Sequence, residues 1–245
     1  DTHHAELTPH VEPGGEIALD YQVEPYDPEI AEDTGRFYVE HQLFSYGEIR
    51  RERDVAVMFC DISGFTRVSE QVLKEPALIG RLVDRWSAQA VEIIWETGGV
   101  FDKMVGDCVI GLWGPPLFEG DAASYCGAAL RAAEQIRDFT RRLGAEQGLP
   151  QLEGLEPPLG VATGLNYCPL YVGLFGPNED YTGFSAGMNN TARLQGLAVR
   201  DEILCLGPFV EALGAGLARF GEERQAAVKN VAEPLIFRAL GTEGA

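Results

Sequence analysis

Only three residues, Val105-Gly106-Asp107, stand between two apolar, strand-like runs, Val100–Met104 and Cys108–Trp113. A gap that short joins two strands only as a tight antiparallel hairpin, with glycine easing the turn. The hairpin commits the chain to a sheet and sets Asp107 at one end of it. A further run, Val55–Phe59, leads into Cys60-Asp61, so another buried strand delivers a carboxylate at its C-terminal end. If the two elements are adjacent, the acids converge.

The rest of the chain is organised around these strands. Leu78, Leu82, Val83, Trp86, Ala90, Ile93, Ile94 and Trp95 recur at helical spacing, and Gly98-Gly99 closes that helix. A second long helix is expected over 122–143. After Pro157-Pro158, Leu159–Leu165 and Leu170–Phe175 read as another hairpin, and a short helix follows around Asn189–Leu197. The order predicts an α+β sandwich, an antiparallel ferredoxin-like sheet with helices on one face. Residues 1–35 carry ten acidic residues, four prolines and no Lys or Arg, which reads as an acidic linker or arm. The folded domain is expected over 36–245, with a short helix at Phe37–Gly47 leading in.

Composition narrows the partners. Nineteen basic against thirty-eight acidic residues leave a formal charge of -19, which repels a polyphosphate backbone and makes nucleic acid an unsuitable partner. No apolar run of membrane-spanning length and no basic-then-apolar leader is present, so the expectation is a cytoplasmic protein without membrane contact. Cys60, Cys108, Cys126, Cys168 and Cys205 are odd in number and mostly set in apolar runs, and they read as free thiols.

Asp61 and Asp107 as a converging pair suit Mg²⁺ or Mn²⁺, hard cations that take oxygen ligands and bring phosphate with them. The alternative is that Asp61 caps a helix and Asp107 is a turn residue. Ser63-Gly64-Phe65-Thr66 follows the first acid and opens a helix, so backbone N–H groups there, including those of Phe65 and Thr66, are placed to meet an anion. Lysine occurs only at 74, 103 and 229. Lys103 and Lys229, both in expected strand segments, are candidates for specific roles, against the ordinary reading of a solvated edge lysine.

Three stretches together carry a family resemblance. Phe59-Cys60-Asp61-Ile62-Ser63-Gly64-Phe65-Thr66, then Phe101-Asp102-Lys103-Met104-Val105-Gly106-Asp107, then Tyr181-Thr182 with Met188-Asn189-Asn190-Thr191-Ala192-Arg193-Leu194, closely resemble the class III adenylyl and guanylyl cyclases over about residues 36–240. The resemblance implies that Asp61 and Asp107, with the Ile62 carbonyl, hold two divalent metal ions. It implies that Asn189 orients the ribose and Arg193 stabilises charge on the transferring phosphoryl group. Lys229 matches the lysine that grips the terminal phosphates, and Lys103 with Thr182 matches the pair that reads the purine edge. An ammonium only donates, which favours adenine N1 over the N1–H of guanine, while a threonine hydroxyl both donates and accepts. The implied activity is conversion of ATP to 3′,5′-cyclic AMP and pyrophosphate, in a homodimer whose sites draw on both subunits. The alternatives are GTP or a pyrimidine nucleotide as substrate, or a catalytically silent relative. A diguanylate-forming relative is disfavoured, because its Gly-Gly-acid-acid-Phe hairpin is absent.

Two departures from the family pattern stand out. The usual glycine after Thr182 is moved to Gly187, and Gly176–Asp180 lacks a basic residue that some relatives carry.

Overall fold

The computed structural model describes residues 6–11, 17–22, 51–115, 120–143, 149–175, 180–229 and 233–241. Within the acidic linker or arm, β1 (Glu6–Val11) and β2 (Ile17–Gln22) pair antiparallel as a hairpin. The expected helix at Phe37–Gly47 lies outside the described residues.

β3 (Arg51–Ile62) carries the first acid near its end. Its alternation divides the core. Ala56, Met58, Cys60 and Ile62 join one apolar cluster, and Val55 and Val57 join another. A strand buried on both faces reads as a continuous apolar run, and this one does. A short helix α1 (Phe65–Arg67) runs on as a π-turn through Leu73, and α2 (Pro76–Glu96) begins on a proline, whose missing N–H costs nothing at a helix start.

β4 (Val100–Val105) and β5 (Cys108–Trp113) form the expected hairpin, and α3 (Ala122–Leu143) the expected helix. The ladder of that hairpin steps from Phe101 opposite Gly111 to Lys103 opposite Ile110. Asp102 is thus an extra residue, a β-bulge.

The expected hairpin over 159–175 is corrected. Val161–Phe175 is one long strand, β6, and it turns back only into β7 (Asp180–Phe184). Pro169 falls between the stretch that pairs with β8 (Ile203–Leu206) and the stretch that pairs with β7. One edge of β6 has no partner there, so a residue without an N–H is accommodated. Then come α4 (Ala186–Gln195), α5 (Gly207–Leu213), β9 (Phe220–Ala226) and β10 (Leu235–Leu240).

The eight-stranded sheet runs β4-β5-β3-β6-β8-β10-β9, with β7 attached to β6. The architecture is α+β, but not wholly antiparallel, because β6 and β8 run parallel. Nor do the helices keep to one face. Trp86 of α2, Ile136 of α3 and Phe209 of α5 share the larger cluster. Met188 and Leu194 of α4 pack on the opposite face, against Leu170 and Leu204 respectively.

Candidate active site

The two acids meet as the hairpin implies. Asp61 is in register with Cys108, the residue that follows Asp107, so the carboxylates stand at neighbouring strand positions. Both are partly buried. Burial, then the charge of Asp107, pushes Asp61 up to about 6, while the side-chain amide of Gln195 draws it part of the way back. Burial also raises Asp107, against hydrogen bonds from its own N–H and that of Ile62. Among the described residues no Lys or Arg forms an ion pair with either acid, and no cluster of three or more His, Cys, Asp or Glu surrounds them. Two close carboxylates that repel one another and lack a basic partner form a hard oxygen set short of positive charge, which fits a divalent cation.

Next to this end, Gly64 takes the left-handed conformation at φ 71°, and α1 starts on it without a side-chain cap. Ser63 N–H is already committed to the Gly160 carbonyl at 2.9 Å. Thr66 is exposed and Phe65 half-buried against the core.

Lys103 and Thr182 are 79 residues apart in sequence and in direct contact. Lys103 Nζ donates to Thr182 Oγ1 at 2.9 Å and lies 5.9 Å from the centre of the Phe184 ring. Beneath them is a group to which sequence reasoning gave no role. Asp102 Oδ2 is 3.6 Å from Lys103 Nζ, and neither carboxylate oxygen makes a hydrogen bond. In a regular strand, neighbours 102 and 103 would face opposite sides of the sheet. The bulge turns them toward one another, a re-aiming that strict alternation does not foresee.

The glycine shift has a steric account. A Cβ on Gly187 would come within 2.5 Å of Cys168 Sγ, and one on Gly183, beside Thr182, would overlap Leu170. Gly187 thus seats the first turn of α4 against Cys168, and Gly183 lets β7 lie close over the Leu170 side chain.

Ser185 caps α4, its hydroxyl accepting from Met188 N–H at 3.1 Å. Met188, Thr191 and Leu194 face the sheet, and helical spacing puts Asn189 and Arg193 on the opposite side. Asn189 is exposed, and Arg193 is half-buried with Nη1 on Asn190 Oδ1 at 3.2 Å. The helix thus turns Gln195 toward Asp61 while pointing Asn189 and Arg193 away from the sheet that bears the acids. Gln195 is a second residue that sequence reasoning missed, because no local pattern records which strand a helix end will meet. Lys229 is not on a strand as expected. It is an exposed turn residue beyond β9, since the strand ends at Ala226. All five cysteines are free thiols.

No family model matches the chain. An adenylate cyclase of Anabaena cylindrica is 27% identical over 147 residues, 59% of this chain and 27% of that protein. The chain therefore spans about a quarter of that relative's length. Among solved structures, the adenylyl cyclase CyaB from P. aeruginosa superposes with a TM-score of 0.68 at 27% identity, covering 79% of this chain and 97% of that one. The chain has the fold of the nucleotidyl cyclase catalytic domains and is similar in sequence to these two adenylyl cyclases. The guanylyl cyclase Cya2 shares the fold, with a TM-score of 0.60 at 22% identity over 78% of this chain and 93% of its own. The cyclase fold alone therefore leaves the base open, and the residues that would face the base become the deciding ones. No described helix is long and apolar enough to cross a membrane.

Proposed function

We propose that this cyclase domain is an adenylate cyclase, forming 3′,5′-cyclic AMP and pyrophosphate from ATP. The observation that carries the base choice is the 2.9 Å bond from Lys103 Nζ to Thr182 Oγ1, which sets the two base-reading candidates side by side. Lys103 has further N–H groups for adenine N1, and a guanine in the same pose would oppose its own N1–H to the ammonium. Thr182 supplies the acceptor for N6–H₂.

Asp61 and Asp107, with the Ile62 carbonyl, are the residues that would hold two divalent cations. Such cations lower the pKa of the ribose 3′-hydroxyl and neutralise charge on the triphosphate. The backbone of Gly64, Phe65 and Thr66 would receive phosphate oxygens. Asn189 would hold the ribose, and Arg193 would meet the charge that develops on the transferring phosphoryl group. Lys229, exposed on its turn, is free to reach the terminal phosphates. Because Asn189 and Arg193 point away from their own chain's acids, the reading pairs them with the acids of a second copy. The protein would then work as a homodimer with two equivalent sites.

The test is turnover of each of the four nucleoside triphosphates with Mn²⁺, products identified by mass, in wild type and in the Lys103→Glu/Thr182→Cys double variant. Wild type should prefer ATP. The double variant should raise the GTP/ATP ratio of kcat/KM on the order of ten- to a hundredfold, since it gives guanine N1–H and N2–H₂ an acceptor and removes the acceptor facing N6. An unchanged purine ratio, or a wild type that prefers UTP or CTP, would overturn the assignment of ATP.

A further inference from the structure

The threonine in the base-reading pair is ambiguous by itself. Its hydroxyl has one proton and two lone pairs, and Lys103 occupies one lone pair. What remains is one proton and one lone pair, and whichever faces the base decides between an amino and an oxo substituent. Something behind the hydroxyl has to settle its rotation.

The group behind it is Asp102. Its side chain is 0% exposed, neither oxygen is hydrogen-bonded, and its nearest cation is Lys103 Nζ at 3.6 Å. Leaving a buried carboxylate without a hydrogen bond is expensive even beside a cation, so a fold that places one at a β-bulge beside a binding group leaves its demand for a proton unmet. Burial raises the carboxyl most, and Thr182 and Lys103 both pull it back, so both lie within its electrostatic reach. Of these two donors, Lys103 gives one N–H to Thr182, is read as giving another to the base, and stands 3.6 Å from the carboxylate, too far for a normal hydrogen bond. The hydroxyl proton of Thr182 is the one that the carboxylate can claim outright.

We infer that Asp102 is a positioning residue for base choice: from its buried place at the β4 bulge it draws the Thr182 hydroxyl proton inward, so that Thr182 presents a lone pair to the base. The pocket then selects bases with a ring-nitrogen acceptor beside an exocyclic amine. Adenine fits, and so does cytosine. Guanine and uracil, which bring a carbonyl and a ring N–H, meet an acceptor and a donor in the wrong order. The inference rests on the reading of Lys103 and Thr182 as the base-reading pair, and it supplies the element that this pair lacks, a fixed direction for the hydroxyl.

Asp102→Asn tests it, because the replacement has the same shape and, with its amide oxygen drawn to the neighbouring Lys103 ammonium, offers Thr182 an N–H that turns the hydroxyl proton outward. The reference substrate is purine riboside 5′-triphosphate, which keeps N1 and lacks the amine, so the ratio of kcat/KM for ATP to that for the analogue isolates what Thr182 accepts. Wild type should favour ATP over the analogue, and Asp102→Asn should lower that ratio on the order of tenfold, the worth of one well-placed hydrogen bond. GTP turnover relative to ATP should rise in the same variant. Asp102→Ala, which frees the hydroxyl without reversing it, should fall between the two and serves if the asparagine variant does not fold. A merely structural role would lower ATP and the analogue together and leave their ratio unchanged, and that result overturns the inference. Thr182→Val separates the two layers. If it collapses the ratio while Asp102→Asn does not, only the link to Asp102 is wrong. If Thr182→Val leaves the ratio untouched, the base-reading assignment fails and this inference with it.

Discussion

Asp61 holds its carboxylate beside that of Asp107, partly out of water, with Gln195 as a modest offset. In the absence of metal this is a free-energy debt with a definite pH window. An unfolded Asp ionises near pH 4, whereas Asp61 in the fold ionises at about 6, so the native state binds more protons between those values. Stability contributed by this group is therefore lost as pH rises from about 4 to about 6, and the loss persists above that. Asp61→Asn removes it. The variant should melt at a higher temperature than wild type in chelator at pH 7.5, the gap should close toward pH 4, and the rise that Mn²⁺ gives wild type should shrink or vanish. Melting curves with and without Mn²⁺ across pH 4 to 8 measure all three. Equal melting temperatures in chelator at neutral pH would show that neither burial nor the Asp107 charge penalises the Asp61 carboxylate in the fold. The same variant should be inactive, and retention of about a tenth of wild-type turnover would count against a shared metal site.

One level up, α4 is seated on the sheet by a close backbone approach at Gly164 as well as by the packing of Met188 and Leu194. A Cβ on Gly164 of β6 would stand 2.7 Å from the backbone N of Gln195 and 2.8 Å from the Thr191 carbonyl, atoms that cannot move without shifting the helix. At Gly183 the obstacle is the tip of the Leu170 side chain, which can rotate. Gly164→Ala should therefore cost about 1–3 kcal/mol and depress turnover, because Asn189, Arg193 and Gln195 ride on the displaced helix, while Gly183→Ala should cost less. Urea unfolding gives the order, and the reverse order would mean that helix position is not set at Gly164. These contacts also mark where sequence reasoning ran out. The hairpin at Gly106, the helices over 76–96 and 122–143 and the convergence of Asp61 with Asp107 were legible, because each follows from local periodicity or a short turn. The unbroken course of β6 was not, since Asn166 and Pro169 imitate a turn and only the change of partner strand explains them. Nor was the placement of Asp102 and Lys103 side by side, which a one-residue bulge creates without a compositional trace.

For the whole molecule, the proposed function requires Asn189 and Arg193, on the far side of α4, to act with acids that lie on the other side of their own chain. Met104, Val105, Tyr171 and Phe184, all large and 40–62% exposed, lie at the end of β4 and on β6 and β7 near Lys103 and Thr182. An apolar surface of that kind, on a chain of formal charge -19, is suited to a second copy once salt screens the like charges. If two chains join so that each completes the other's site, separate defects should complement. An Asp61→Ala chain lacks metal ligands but has an intact α4, and an Arg193→Ala chain has the reverse. In a mixed dimer both defects fall in one site and the other site is whole. Each variant alone should be inactive. After equal amounts are unfolded and refolded together, random pairing makes half the dimers mixed, each with one good site, so turnover should return to about one quarter of wild type. The mixed dimer, isolated through two different affinity tags, should carry all of the recovered activity at about half the wild-type rate per dimer. If tagged mixed dimers form and remain inactive, the acids and Arg193 do not serve a common site across the interface, and each chain would have to complete its own site by moving α4.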